Sequence, residues 1–372
     1  MGIMLVTGAG GAGRTTVAAA AALAEAHAGR RVLLVSGDAD EGLGVDVLRP
    51  SPAADFRREF LALQERSATA LDLLGATPFE DAELTELPGS APFALLRTLR
   101  DAAAQPDRDL VVVDLPPLLD ALALLALPEQ LRRYLRRLLP PERQAARALR
   151  PMLAQLAGVP MPAQWLYETT ARWEAELAAV QAVVDAPTTT VRLVVEPGPA
   201  AADTLRTARL GLALHGLALD TVVANKLLPA ESQDPWFAAL TAQQHEHLAR
   251  LRTGHDGAVH ALPHLGRDPR GAEDLALLAV DTNPVPAPAW TVEDRRAEDG
   301  ILVWHIPLPG AAKDELSLVR RGDELLLAVG PFRRNVPLPP ALRRCTVAGA
   351  GLVDGDLRVR FTPDAGLWPK AP

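Results

Sequence analysis

The sequence predicts an α/β domain with a mostly parallel sheet and a helical insert, followed by a small all-β sandwich. Apolar runs at residues 3–6, 32–35 and 110–113 do not alternate with polar residues, which is typical of strands buried on both faces. Helical stretches separate these runs, as a parallel sheet requires. After residue 299, short alternating runs are separated by Pro, Gly and Asp, which predicts a β-sandwich.

A segment rich in proline and charge separates the two predicted domains. We expect the α/β domain to cover residues 1–280, with its helical insert at about 121–186, and the sandwich to cover residues 299–372. Residues 281–298, DTNPVPAPAWTVEDRRAE, have the composition of an extended linker.

The first strand runs into a glycine-rich loop and then into an alanine-rich helix at residues 17–28. Glycines let such a loop turn its backbone N–H groups inward, within hydrogen-bonding range of phosphate oxygens, and the helix N-terminus adds partial positive charge. This order predicts a P-loop NTPase, although a tight turn whose glycines serve only packing is the alternative. The predicted nucleotide-binding residues here are Gly8, Gly10, Gly11, Ala12, Gly13, Arg14, Thr15 and Thr16.

Two aspartates follow predicted strands and should lie at the same edge of the sheet as the loop. Asp38 can order a water on Mg²⁺ or activate the attacking water, or it belongs to a solvated acidic loop. Asp114 ends its strand as a carboxylate that reaches Mg²⁺ directly or through water, or it caps the next turn. The predicted metal-binding residues on these strands are therefore Asp38 and Asp114, and the family resemblance described below adds Thr15 to this set.

The insert carries apolar residues at helical spacing, including Leu131, Leu135 and Leu138, opposite a face rich in arginine. This amphipathic pattern predicts either a layer that packs on its own domain or an apolar groove, from Leu131 to Trp173, for a partner helix. The sequence leaves both open.

Asn225 ends another predicted strand, and its amide can bond a purine donor and acceptor together. The five histidines between His245 and His264 lack metal-ligand spacing, so we interpret them as surface or core residues.

Composition argues against several function classes. The net charge of −8 disfavours nucleic acid as the main partner. The single cysteine, Cys345, excludes an intramolecular disulfide and a cysteine-built metal site within one chain. We see neither an apolar run of about 18 residues nor a secretory signal, so we expect a cytoplasmic protein.

These motifs resemble, in order and spacing, the ArsA family of ATPases, which includes arsenical pump ATPases and the cytosolic targeting factor for tail-anchored membrane proteins. The family loop G-K-G-G-x-G-K-[ST] is similar to GAGGAGRT at residues 8–15, and the first switch S-T-D-P-A-H-[SN]-L to SGDADEGL at 36–43. The second switch is similar to DLPPLLDALALLALPE at 114–129. Asn225 with Lys226 looks like the family's adenine-reading turn, and the last strands look like an appended α-crystallin (small heat-shock) domain.

The resemblance implies ATP or ADP with Mg²⁺ as ligands, Thr15 on the ion, Arg14 at the β- and γ-phosphates, and Asp38 and Arg14 as catalytic residues. The chain departs from the family pattern where catalysis would lie. Ala9 replaces a lysine that reaches across the family's dimer interface, Arg14 replaces the second loop lysine, and Leu118 and Leu119 replace small residues of the second switch.

We therefore predict a dimer, with itself or with a paralogue, whose nucleotide state opens an apolar groove for helices of membrane-protein clients, with weak hydrolysis. The alternative is a pseudoenzyme that acts as a structural or client-binding module. A partitioning-type ATPase on DNA or membrane is a third hypothesis, disfavoured by the acidic charge. A single cysteine supplies neither the thiolates that hold arsenite in pumps nor the zinc pair of some targeting members.

Overall fold

The computed structural model describes residues 1–40, 42–73, 75–139, 164–255, 257–278 and 287–367. The chain divides into two compact units. The first contains residues 1–6, 14–189 and 269–279, and the second contains residues 7–13, 190–268 and 280–372. Strand β1 (Gly2–Gly8) therefore begins in the first unit and ends in the second.

The first unit contains a parallel sheet with the order β3-β2-β4-β1. Besides β1, its strands are β2 (Val32–Val35), β3 (Asp46–Leu48) and β4 (Leu110–Asp114). Its helices are α1 (Arg14–His27), α2 (Pro52–Arg66), α3 (Ala68–Leu73), α4 (Ser90–Ala103), α5 (Leu118–Leu138), α6 (Gln164–Val184) and α9 (Gly271–Ala276). The consecutive apolar residues of β1, β2 and β4 are buried, which confirms the predicted α/β class.

The register of this sheet positions the candidate site. Val6 of β1 lies opposite Asp114 of β4, and Val35 of β2 lies opposite Val113. Because the strands are parallel, the segments that follow β1, β2 and β4 leave the sheet at one edge.

Helices α5 and α6 pack against each other in the region predicted to be the insert. The middle of the predicted insert, residues 140–163, lies outside the described residues. Within the part of the chain that is described, none of the helices is long and apolar enough to cross a bilayer.

The second unit contains three further parallel strands. Strands β5 (Thr189–Val195), β6 (Ala218–Leu227) and β7 (Val259–Pro263) are parallel, and helices α7 (Ala201–His215) and α8 (Pro235–Thr253) connect them. Within this unit, β6 lies between β5 and β7.

The same unit ends in two antiparallel sheets that form the predicted small all-β domain. One sheet has the order β10-β11-β12 and the other β13-β14-β9-β8. The strands are β8 (Thr291–Arg295), β9 (Ile301–Pro307), β10 (Leu316–Arg321), β11 (Glu324–Val329), β12 (Phe332–Pro337), β13 (Cys345–Val353) and β14 (Asp356–Pro363), with the short helix α10 (Pro340–Arg343) before β13.

Strand β8 corrects the predicted linker. Residues 281–298 were expected to be an extended linker, but Thr291–Arg295 forms a strand that pairs antiparallel with β9. The strand lies at a sheet edge, and most of its residues are exposed. Because exposed edge positions favour polar and charged side chains, its composition is the same as that expected of a linker. The all-β domain therefore starts before residue 299.

Side chains of the β-domain pack on the end of α7. The Arg334 guanidinium donates to the Leu214 carbonyl oxygen at 2.5 Å and lies 5.5 Å from the centre of the Trp290 ring. Trp290 in turn packs edge-on against Trp304, with 5.7 Å between ring centres. A cation at the C-terminal end of a helix also interacts favourably with the helix dipole. These contacts dock the β-domain on α7.

Acidification is expected to destabilise this contact through His215, the last residue of α7. Burial, together with the nearby Arg334 charge, lowers the pKa of His215 to about 4. The unfolded chain therefore binds a proton at higher pH than the folded one, and this contribution to stability is lost as the pH falls from about 6.5 to 4. The melting temperature of the His215→Gln variant, measured across this range, should fall less steeply with pH than that of the wild type. Parallel curves would contradict this assignment.

Candidate functional site

The glycine-rich loop after β1 needs glycine for steric reasons at two positions in the second unit. A Cβ atom on Gly8 would lie 1.8 Å from the Val194 carbonyl oxygen. Gly13 has φ of +88°, and a Cβ atom there would lie 2.5 Å from Nδ2 of Asn225. The loop is thus packed tightly against the ends of β5 and β6.

Two consecutive side chains at the end of β6 hold the loop. Nδ2 of Asn225 donates to the Ala12 carbonyl oxygen at 2.8 Å, and Nζ of Lys226 donates to the Gly11 carbonyl oxygen at 2.6 Å. Asn225 was predicted to read a purine, and here its amide N–H group contacts the loop itself. Lys226 was not among the predicted site residues, although it directly follows Asn225 in the motif that pointed to this turn.

A second set of contacts lies in the first unit, around Asp114. The Thr15 hydroxyl donates to Oδ2 of Asp114 at 2.7 Å, and the Ser36 hydroxyl donates to the same oxygen at 2.9 Å. Burial raises the pKa of Asp114, and the two hydroxyl donors partly oppose this effect. The structure therefore brings together Thr15 and Asp114, two of the three predicted metal ligands.

Ser36 connects this carboxylate to the predicted first switch. Its hydroxyl oxygen accepts hydrogen bonds from the backbone N–H groups of Asp38 at 3.3 Å and Ala39 at 3.2 Å. The Asp38 residue is exposed, and Ser36 is 1% exposed. The sequence analysis did not include Ser36 among the site residues. Its position directly after β2, at the carboxyl end of a buried strand, could have indicated it.

The loop arginine has a specific partner in the first unit. Nη1 of Arg14 donates to the Leu115 carbonyl oxygen at 2.7 Å, so the guanidinium contacts the backbone that follows Asp114. Thr16, the next predicted ligand-binding residue, is half-buried in the first turn of α1. In the second switch, Leu118 is buried and Leu119 is 52% exposed.

The donor set around Thr15 fits a magnesium ion that arrives with a nucleotide. Hydroxyl and carboxylate oxygens are hard donors, and Mg²⁺ in nucleotide sites takes few protein ligands and completes its shell with phosphates and water. No group of three or more His, Cys, Asp and Glu residues in the described ranges could hold a metal ion. Thr15 and Asp114 would thus hold the ion together with the phosphates.

The predicted helical insert forms one side of an apolar cavity in the first unit. Its volume is about 380 Å³, and α2, α4, α5 and α6 line it. Leu131, Leu135 and Trp173, which were expected to form a groove, all line this cavity. The other apolar residues of its wall are Phe56, Phe60, Leu63, Phe93, Leu96, Leu177 and Val180.

Ion pairs beside the cavity tie three of these helices together. The carboxylate of Glu59 in α2 accepts a hydrogen bond from Arg172 of α6 at 2.9 Å and lies 3.2 Å from Arg97 of α4. Glu176 of α6 lies within 3.7 Å of Arg97, Arg100 and Arg172. Glu59, Arg97, Arg100 and Glu176 themselves line the cavity, so these ion pairs form the charged part of a wall whose other residues are mostly apolar.

Comparison with known proteins agrees with the motifs. A family model described as anion-transporting ATPase matches residues 1–47 and 43–282, and a model described as the HSP20-like domain found in ArsA matches residues 299–361. An uncharacterized protein of Streptomyces coelicolor is 57% identical over 390 residues, covering all of both chains. A Mycobacterium tuberculosis protein is 29% identical, covering 99% of this chain and 97% of its own.

A more distant relative from Aquifex aeolicus is provisionally named an arsenical pump-driving ATPase. It is 26% identical over 381 residues, which cover 92% of this chain and 95% of the relative. The family match extends over most of the sequence, and the strand, loop and Asp114 geometry lies within it. The chain belongs to the ArsA ATPase family and carries the HSP20-like domain found in ArsA.

Proposed function

We propose that this protein binds ATP and ADP with Mg²⁺ and that its nucleotide state controls the apolar cavity of the first unit. The observation that carries the proposal is the pair of hydroxyl groups, from Thr15 and Ser36, that share one oxygen of the Asp114 carboxylate. Ser36 also bonds the backbone of Asp38, so a change at Asp114 on ion binding reaches the first switch through one side chain.

Each residue has a role in this proposal. Thr15 and Asp114 hold the ion, which when bound offsets charge on the β- and γ-phosphates. The exposed Asp38 orders or activates the attacking water. Arg14 retains the positive charge of the family lysine, but its planar guanidinium is larger and aims differently, so hydrolysis is weak.

The proposed client is an apolar helix, and the proposed working form is a cytoplasmic dimer with itself or with a paralogue. A volume of about 380 Å³ is at the low end of ligand pockets. It suits a few anchor side chains on one face of a helix, spaced at i, i+3, i+4 and i+7. The proposal does not include arsenite binding. Clustered thiolates would be needed to hold arsenite, and the chain has one cysteine, which is buried.

One contact favours a second candidate, a pseudoenzyme whose nucleotide is structural. Arg14 donates to the Leu115 carbonyl oxygen, so bringing its charge to a phosphate requires this hydrogen bond to be broken. Ala9, the first departure from the family loop, carries no charge.

Calorimetric titration of ATP with Mg²⁺, with phosphate release followed on the same protein, separates the two candidates. Turnover that Asp38→Asn abolishes supports an ATPase. Binding without turnover supports the pseudoenzyme, particularly if Ala9→Lys with Arg14→Lys gives a large gain in phosphate release. Absence of ATP binding overturns both nucleotide roles.

Replacing Leu135 with aspartate is expected to weaken binding of a labelled apolar helical peptide by about tenfold or more, because it places a charge in an apolar wall. Leu138 on the same helix provides the matched control. It is 77% exposed and does not line the cavity, so Leu138→Asp should change affinity less than about twofold. Fluorescence anisotropy measures both variants, and equal affinities for the two would exclude the cavity as the client site.

A further inference from the structure

Asn225 and Lys226 are neighbours in the chain, and both contact the same side of the phosphate loop. In a regular strand, consecutive side chains point to opposite faces, so the two could not reach one loop together. The backbone at the end of β6 must therefore depart from strand geometry.

The departure occurs at Lys226. Its φ is +60°, in the left-handed region that side chains other than glycine rarely adopt. The pairing of β6 with β7 is also irregular between Ala224 and Leu227. Such a conformation costs free energy, and it persists where surrounding contacts enforce it.

The residue type at this position is informative as well. Lys226 is one of three lysines in a chain with 38 lysines and arginines together. An ammonium group is a compact point charge, whereas a guanidinium is a broad planar fork. Nζ of Lys226 fits between the Gly11 carbonyl oxygen at 2.6 Å and Oε2 of Glu196 at 3.7 Å.

These contacts fix two successive peptide units of the loop. In a trans peptide, the C=O of one residue and the N–H of the next point in opposite directions. With its carbonyl on Lys226, the Gly11 unit turns the Ala12 N–H inward, where it closes the loop on the Ala9 carbonyl oxygen at 3.3 Å. With its carbonyl on Asn225, the Ala12 unit turns the Gly13 N–H to the side opposite Asn225.

We propose that Lys226 is a positioning residue that, together with Asn225, holds the loop by its carbonyl groups and thereby presents the backbone N–H group of Gly13 to the β-phosphate of a nucleotide. This inference rests on the proposed nucleotide binding. Lys226 acts through the loop backbone, so its effect should depend on the phosphates of the ligand and not on the base.

Two substitutions on the full chain test this role. Lys226→Met keeps the length of the stem and removes the charge. Lys226→Gly removes the side chain and also relieves the left-handed backbone, so it should melt at the same temperature as the wild type or higher. Calorimetry should show ADP affinity reduced by about tenfold or more in both variants, with AMP affinity changed less than about threefold. Lys313→Met, which removes an exposed lysine elsewhere in the second unit, is the control.

The outcomes are distinguishable. If the wild type binds no ADP, the proposed nucleotide function fails. If the wild type binds ADP and both Lys226 variants stay within twofold of it, or lose ADP and AMP affinity equally, the role of Lys226 is overturned. Weaker ADP binding by Lys226→Gly with undiminished thermal stability supports it, because a purely structural lysine would lower the melting temperature.

Discussion

Replacing Asp220 with alanine is expected to lower the free energy of unfolding by about 3–5 kcal/mol, because the buried Arg192 guanidinium would lose the carboxylate with which it forms an ion pair. Nε and Nη2 of Arg192 donate to Oδ2 of Asp220 at 2.9 and 2.7 Å. The side chains are 1% and 0% exposed, so water cannot replace the lost partner. Removing one member of such a pair is costly even where the pair itself adds little to stability.

Denaturant unfolding of three variants tests this expectation. Replacing both residues with leucine should recover most of the loss, since neither charge is then buried. The control is the exposed pair of Glu246 and Arg250 in α8, where Glu246→Ala should cost about 0.5 kcal/mol or less. A loss below about 1 kcal/mol for Asp220→Ala would show that Arg192 is solvated after all.

The buried pair coincides with a change of register. Val191 lies opposite Leu219, but Arg192 lies opposite Thr221, so Asp220 is the extra residue of a β-bulge. One inserted residue moves every later side chain of β6 to the other face of the strand. The pair therefore helps set the face on which Asn225 is presented to the loop.

The elements that the sequence predicted correctly share a strong local pattern. Strands β1, β2 and β4 contain continuous apolar runs. The strands of the β-domain after residue 300 alternate apolar and polar residues and are separated by turns rich in glycine and proline. The missed strands β3, β7 and β8 are short or exposed, so their apolar signal is weak. Their formation depends on a neighbouring strand, which local periodicity does not report.

In the candidate site, too, some features follow from local sequence patterns and others depend on tertiary contacts. The glycine loop, Thr15 and Asp114 were predictable because parallel strands release their carboxyl ends at one edge. The contacts of Ser36 and Lys226 depend on hydrogen bonds and on a left-handed backbone at one lysine, neither of which has a residue pattern of its own. The Arg192 and Asp220 pair, 28 residues apart in the chain, likewise becomes visible only once β5 and β6 are paired.

Asp114→Asn is expected to remove most of the Mg²⁺-dependent gain in ATP affinity, by about tenfold or more, while ATP binding without Mg²⁺ stays within about threefold of the wild type. The amide preserves the size of the side chain but carries no charge for the ion. Because burial raises the pKa of Asp114, protons compete with the ion at this carboxylate, so the gain in the wild type should increase with pH. Calorimetric titrations with Mg²⁺ and with a chelator measure the ratio.

Asp109 provides a matched control, since it directly precedes the other end of β4. It pairs with Arg31 at 2.8 Å on the surface, and Asp109→Asn should leave the Mg²⁺ dependence unchanged. If Asp114→Asn kept the full Mg²⁺ effect, the carboxylate would serve only to anchor Thr15 and Ser36. The ion would then be held by Thr15, water and phosphate, and the connection from Asp114 through Ser36 to the first switch would not respond to it.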